Sequence, residues 1–157
     1  MKISKYIALF FIGFLLFASC KEDGEKVNAA TKAEQEQILQ DYFTQNNIVT
    51  QKTESGLHYV VTEQGTPIQN GENIAVHYEG KLLSGLKFDS SFDRGRPYTF
   101  SVGAGQVIRG WDEGVPLIGK GGKGTLYLPS HLGYGAQGAG RDIPPYSILV
   151  FRVEVFN

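Results

Sequence analysis

From residue 57 onward the apolar side chains return at every second position, a period that builds half-buried strands and cannot build a helix. In Asn73 to Glu79, Ile74, Val76 and Tyr78 share one face, while Asn73, His77 and Glu79 share the other. In Ser147 to Phe156, Leu149, Phe151, Val153 and Val155 align against Arg152 and Glu154. This alternation belongs to antiparallel strands with one face on a core and one toward water. Leu57 to Glu63, Tyr98 to Val102 and Lys123 to Leu128 bring the strand set to about five. Gly and Pro clusters at Gly65 to Pro67, Gly103 to Gly105, Gly119 to Gly122 and Gly133 to Gly140 punctuate it. Only Gln106 to Glu113 reads as helical, with Val107, Ile108 and Trp111 at i, i+1 and i+4. The expected fold class is α+β: a curved antiparallel sheet wrapped around one short α-helix.

The first twenty residues follow different rules. Lys2 and Lys5 precede an apolar run from Tyr6 to Phe17, and Ala18, Ser19 and Cys20 follow it. A basic start, a short apolar stretch and small residues at its end make a secretory signal. The run is too short for a bilayer-spanning helix, which needs about 20 apolar residues. Its ending, Leu16-Phe17-Ala18-Ser19-Cys20, resembles the lipobox of bacterial lipoproteins, with Phe17 bulkier than the usual residue there. The resemblance implies that Cys20 becomes the first mature residue and carries acyl chains, a membrane anchor of about 0.8 kcal/mol per buried CH2. The alternative is a plain secretion signal with an incidental cysteine. Lys21-Glu22-Asp23 behind it is similar to a surface-export signal, and serves equally as a hydrophilic tether. The expected location is the cell envelope, lipid-anchored at the outer membrane, with surface exposure left open.

Residues 20–30 read as a flexible tether. Residues 31–54 read as a short helix and linker, because Thr31 and Glu34 have capping-box spacing ahead of Ile38, Leu39, Tyr42 and Phe43. Residues 55–157 make the main domain, and residues 1–19 the signal.

Several chemistries fall away on composition. A formal charge of -1 gives no electrostatic reason to expect nucleic acid. With 1 cysteine there is neither a disulfide framework nor a cysteine cluster for zinc. The histidines His58, His77 and His131 show no catalytic partner pattern and no metal spacing, so no metal is assigned. The run Gly119-Lys120-Gly121-Gly122-Lys123-Gly124 lacks the order of a phosphate loop, and a hairpin explains it.

What remains is a set of landmarks between Val76 and Phe156: Val76-His77-Tyr78-Glu79-Gly80, Phe88-Asp89-Ser90-Ser91, Val107-Ile108-Arg109-Gly110-Trp111-Asp112-Glu113-Gly114, Tyr134-Gly135, Ile143-Pro144-Pro145 and Leu149-Val150-Phe151. In order and spacing they resemble the FK506-binding protein (FKBP) family of peptidyl-prolyl cis-trans isomerases, with weaker similarity back to Ser55. The resemblance implies an enzyme that rotates X-Pro bonds without covalent chemistry or a cofactor. That rotation faces a barrier of about 18–20 kcal/mol, because twisting costs the amide its resonance. The requirement is an apolar slot for the proline ring and groups that stabilise a twisted carbonyl.

By the same resemblance, Trp111 would be the floor of the slot and Tyr78, Tyr98, Phe100, Val107, Ile108 and Phe151 its walls, with Phe88 and Ile143 also on the substrate side. Tyr98 stands where phenylalanine is common. The backbone N–H of Ile108 and the hydroxyl of Tyr134 would hold peptide carbonyls. Asp89 would hydrogen-bond Tyr78 and bias the field around the amide, although Asp89-Ser90-Ser91 is also good turn chemistry. Arg94 would pair with Asp89 or Tyr78. The implied partners are proline-containing polypeptides, tacrolimus- or rapamycin-type macrolides and, through the anchor, a membrane. The expected role is to assist folding of exported proteins; the alternative is a proline-peptide-binding chaperone module with incidental turnover. The loop Ala136 to Asp142, Gly-rich and carrying Arg141-Asp142, departs from the family and bears on substrate and inhibitor preference.

Overall fold

The computed structural model describes residues 20–156; the expected signal segment 1–19 lies outside the described residues. Seven strands form one antiparallel sheet: β1 (Gln51–Lys52), β2 (His58–Glu63), β3 (Asn73–Leu82), β4 (Lys87–Ser90), β5 (Tyr98–Ser101), β6 (Lys123–Leu128) and β7 (Leu149–Phe156). Its order is β1-β2-β6-β7-β3-β4, with β5 also on β3. Two helices, α1 (Cys20–Asn46) and α2 (Arg109–Ile118), pack against it.

All five expected strands are present. Two more, β1 and β4, correct the count of about five. β1, of 2 residues, is too short for period two to register and β4 carries a single apolar residue, Phe88, so pairing with a neighbour is what makes them strands. β3 organises the sheet: β7 pairs along one edge from Ala75↔Phe156 to Leu82↔Leu149. Its other edge is divided between β5, on Asn73 to Val76, and β4, on Glu79 to Lys81. The chain between β4 and β5 is thereby pushed out of the sheet, carrying Arg94 with it.

The two faces of the sheet are covered by different helices. Ile74, Val76 and Tyr78 of β3, Leu126 and Leu128 of β6 and Phe151, Val153 and Val155 of β7 form the main core with Trp111, Val115 and Ile118 of α2. α2 is strongly one-sided, and it lies close because of its glycines. A Cβ on Gly110 would stand 2.3 Å from Leu128 Cδ2, and one on Gly114 would stand 2.8 Å from Leu126 Cδ1. The opposite face presents Tyr127, Val60, Val150 and Ile148, and Leu39 and Phe43 of α1 pack there.

Both helix expectations need correction. Gln106 and Val107 form a bend ahead of the helix rather than its first turn, with Ile108 extended at the N-cap (φ -60, ψ 148). The helix then continues through Pro116 to Ile118, because a proline late in a short helix removes only one ladder bond. α1 already runs at Cys20, the first described residue, so residues 20–30 are helix instead of flexible tether, and Thr31 is internal instead of a cap. Lys, Glu and Ala supply good helix formers in that stretch, set against Gly24 at about 1 kcal/mol and the weaker Asp23, Val27 and Asn28.

Candidate active site

Where α2 meets the β3–β4 end of the sheet, the core is left open as a pocket of about 340 Å³. Tyr78, Phe88, Asp89, Tyr98, Gln106, Val107, Ile108, Trp111, Tyr134 and Phe151 line it. Its floor follows from register. Tyr78 and Phe151 are inward positions of β3 and β7, and Trp111 comes from the first turn of α2 above them. The ring of Tyr78 stands edge-on to Trp111 at 4.8 Å (85°), and that of Phe151 at 5.3 Å (83°). Phe88 meets Phe151 edge-on at 5.6 Å. That approach needs Gly80, whose added Cβ would sit 2.7 Å from Phe88 Cε2 and 2.9 Å from Phe151 Cε1. The result is a rigid aromatic cup whose faces prefer an apolar guest. The indole N–H of Trp111 is buried with no hydrogen-bond partner among the described residues, in keeping with a floor walled by carbon rings.

One rim is polar. Tyr78 donates its hydroxyl hydrogen to Asp89, Arg94 forms an ion pair with the same carboxylate, and Arg94 also donates to Tyr78 Oη at 2.8 Å. Arg94 further lies 5.5 Å from the Tyr78 ring centroid. Burial works to raise the Asp89 carboxyl, but the hydrogen bonds from Tyr78 and Arg94 outweigh it and hold the group below the usual carboxylate range. Burial, reinforced by Asp89, pushes the Tyr78 phenol up to about 12. Asp89 is therefore an anion and Tyr78 a neutral donor at neutral pH. Ser91 fixes the backbone beneath them, accepting from Tyr78 N–H at 2.7 Å and donating to its carbonyl at 3.3 Å.

The opposite rim carries Tyr134, 40% exposed at the mouth, its phenol raised first by burial and then by Asp89. Ile108 completes the rim. As the N-cap residue of α2, its N–H precedes the helical ladder and so is not consumed by it.

Of the residues expected at the site, Tyr78, Phe88, Asp89, Tyr98, Val107, Ile108, Trp111, Tyr134 and Phe151 all line the pocket. Three do not. Phe100 lies beneath the floor, 5.8 Å from Trp111, and packs it from behind. Ile143 is buried in the core, where its backbone bridges Ala139. Arg94 stands outside the lining and acts on Asp89 and Tyr78. Gln106 was not expected. It lines the pocket while its Oε1 accepts from Ser101 N–H at 3.0 Å, and one polar residue before an apolar run carries no sequence signal for that.

An apolar cup, a buffered anion on one rim and hydroxyl and amide donors on the other describe a class of protein: one that grips a small apolar ring and acts on an adjacent carbonyl without bonding to it covalently. Comparison with known proteins agrees. Residues 64–156 match the family model described as FKBP-type peptidyl-prolyl cis-trans isomerase. An FK506-binding protein of Neisseria meningitidis serogroup A is 53% identical over 93 residues, 59% of this chain and 85% of that one. A probable FKBP-type peptidyl-prolyl cis-trans isomerase of Haemophilus influenzae is 40% identical over 144 residues, 90% of this chain and 58% of that one. The crystal structure of FkpA from Escherichia coli superposes with a TM-score of 0.70 at 34% identity, covering 87% of this chain and 63% of that one. The chain thus spans less than two thirds of those last two proteins. It belongs to the FKBP-type peptidyl-prolyl cis-trans isomerase family, and its activity is rotation of the X-Pro bond.

Proposed function

We propose that this isomerase works at the cell envelope, held to a membrane through acylated Cys20, and that it accelerates folding of exported proteins limited by slow X-Pro isomerisation. The cup over Trp111 carries the catalytic reading. A proline ring seated there leaves water, and its preceding amide is drawn into a site where fixed dipoles replace solvent. Tyr134 Oη–H and Ile108 N–H donate to peptide carbonyls on one side. The Asp89 anion, neutralised by Arg94 and Tyr78, sets the field on the other. Each tenfold in rate requires about 1.4 kcal/mol less barrier, so a few such contacts make a useful catalyst. The relative in Neisseria is named for binding FK506, and the same aromatic cup here suits the pipecolyl-type ring of such macrolides.

α1 runs unbroken from Cys20 to the docked Leu39 and would serve the proposed anchor as a stalk. At 1.5 Å per residue, the eleven residues up to Thr31 span roughly 16 Å, enough to hold the pocket clear of a bilayer surface.

The test is an isomerisation assay on the full chain in mild detergent, with a tetrapeptide X-Pro substrate, with and without rapamycin. Rapamycin-sensitive acceleration is expected. Peptide binding without acceleration would replace the catalyst with a proline-binding chaperone module.

A further inference from the structure

Gln35 is a buried polar side chain in the part of α1 that docks on the sheet, and it is outside the segment 64–156 that matches the family. Its neighbours at helical spacing, Leu39 and Phe43, are ordinary packing residues. Gln35 instead spends all its polar atoms on one distant loop. Its Oε1 accepts from Ser130 N–H at 2.7 Å, and its Nε2 donates to Ser130 Oγ at 2.9 Å and to the Tyr146 carbonyl at 2.9 Å. The orientation of the amide is set by these partners, since the oxygen faces an N–H and the nitrogen faces a carbonyl.

Ser130 and Tyr146 are the two ends of the segment that carries Tyr134. At the first end, Ser130–Leu132 form a 3-10 turn leading directly to Gly133 and Tyr134. At the second, Tyr146 sits at φ 59, an unfavourable left-handed backbone for a non-glycine residue, and donates its N–H to the Gly135 carbonyl at 2.8 Å. Between them the loop is tied by the Ala139–Ile143 bridge and by His131 Nε2, which donates to the Ser55 carbonyl at 2.9 Å, and it contains Gly133, Gly135, Gly138 and Gly140. Chain so rich in glycine has much conformational freedom to lose, so its resting geometry depends on what pins its ends.

We infer that Gln35 is a positioning residue for the isomerase: by bonding both ends of the 130–146 loop it sets where Tyr134 stands over the pocket, and α1 is thereby a splint for the active site as well as a stalk. The inference rests on the reading of Tyr134 as a peptide contact.

Gln35→Glu tests it in the full-length protein. A carboxylate still accepts from Ser130 N–H but has no hydrogen for the Tyr146 carbonyl. When protonated it regains one. Turnover of the variant should therefore match the parent at acid pH and fall about tenfold as the introduced carboxyl ionises, the effect of one buried hydrogen bond lost. The parent should show no such step. Gln35→Met, which keeps the volume and deletes every bond, should be slow at all pH values and guards against misfolding of the acid variant. In both, KM should rise more than kcat falls, because a displaced Tyr134 loses binding to ground and transition state alike. Turnover by Gln35→Glu that tracks the parent across the pH range overturns the inference. So does a loss that multiplies fully with that of Tyr134→Phe, since residues acting through one contact are non-additive. If Tyr134→Phe itself turns over like the parent, the reading of Tyr134 fails, and the pH step of Gln35→Glu still decides the role of Gln35 separately.

Discussion

Asp89 stands in β4 with its carboxylate at the pocket rim, where it takes the Tyr78 hydroxyl hydrogen and the Arg94 guanidinium. Replacing it by valine leaves Tyr78 Oη without an acceptor and Arg94 without a counter-charge, at a site 40% exposed where the fold has little to lose. Asp89→Val should lower kcat/KM about tenfold, on the scale of one charge-assisted hydrogen bond, with the melting temperature nearly unchanged. Equal turnover by steady-state assay would remove Asp89 from the mechanism. The residue types at this site were legible because Tyr, Trp, Asp and Phe stand in a recognisable series. Their places within it were only partly so. Phe100 and Ile143 have the apolar character of a pocket wall, yet each faces the core side, which alternation alone cannot distinguish from the pocket side. Gln106 was illegible for the opposite reason: its function comes from the turn it occupies.

At the scale of elements, α1 is the instructive case. Its stripe of Gln35, Leu39 and Phe43 repeats every fourth residue and lies on the face of the sheet opposite the pocket. Beside it Glu36 reaches His58 Nε2 at 3.1 Å and Lys52 Nζ at 3.0 Å, clamping the helix to β2 and β1. Burial works to raise the Glu36 carboxyl, but the hydrogen bonds from His58, Gln40 and Lys52 outweigh it and hold the group at about 2. A carboxyl lowered on folding stabilises the native state above its unfolded value and loses that effect on acidification. The parent should therefore lose stability relative to Glu36→Gln as pH falls from 4.5 toward about 2. Because the side chain is 32% exposed, solvent screening limits the change to on the order of 1 kcal/mol, read by denaturant titration at each pH. A constant difference across that window would mean the clamp contributes nothing.

For the whole molecule, the relevant quantity is where the pocket sits relative to a membrane. No helix among the described residues is long and apolar enough to cross one. On the proposed reading, attachment runs through acylation at Cys20. Cys20→Ser should move the protein from the detergent-soluble membrane fraction to the aqueous fraction while leaving turnover intact. A variant that still partitions with membranes would end the lipid-anchor reading.

The sequence by itself determined the class of fold, since period-two alternation between glycine clusters can be satisfied only by antiparallel strands sharing a core. It also carried the chemistry, through the resemblance of its aromatic and acidic landmarks, in order and spacing, to the FKBP family. Tertiary structure alone decided the remainder. It made strands of Gln51–Lys52 and Lys87–Ser90, which carry no apolar alternation of their own and gain their form from a partner. It carried α2 past Pro116, because a local stop signal is weak beside packing on the sheet. And it joined Gln35 to Ser130 and Tyr146, a contact spanning 95 and 111 positions that no local pattern encodes.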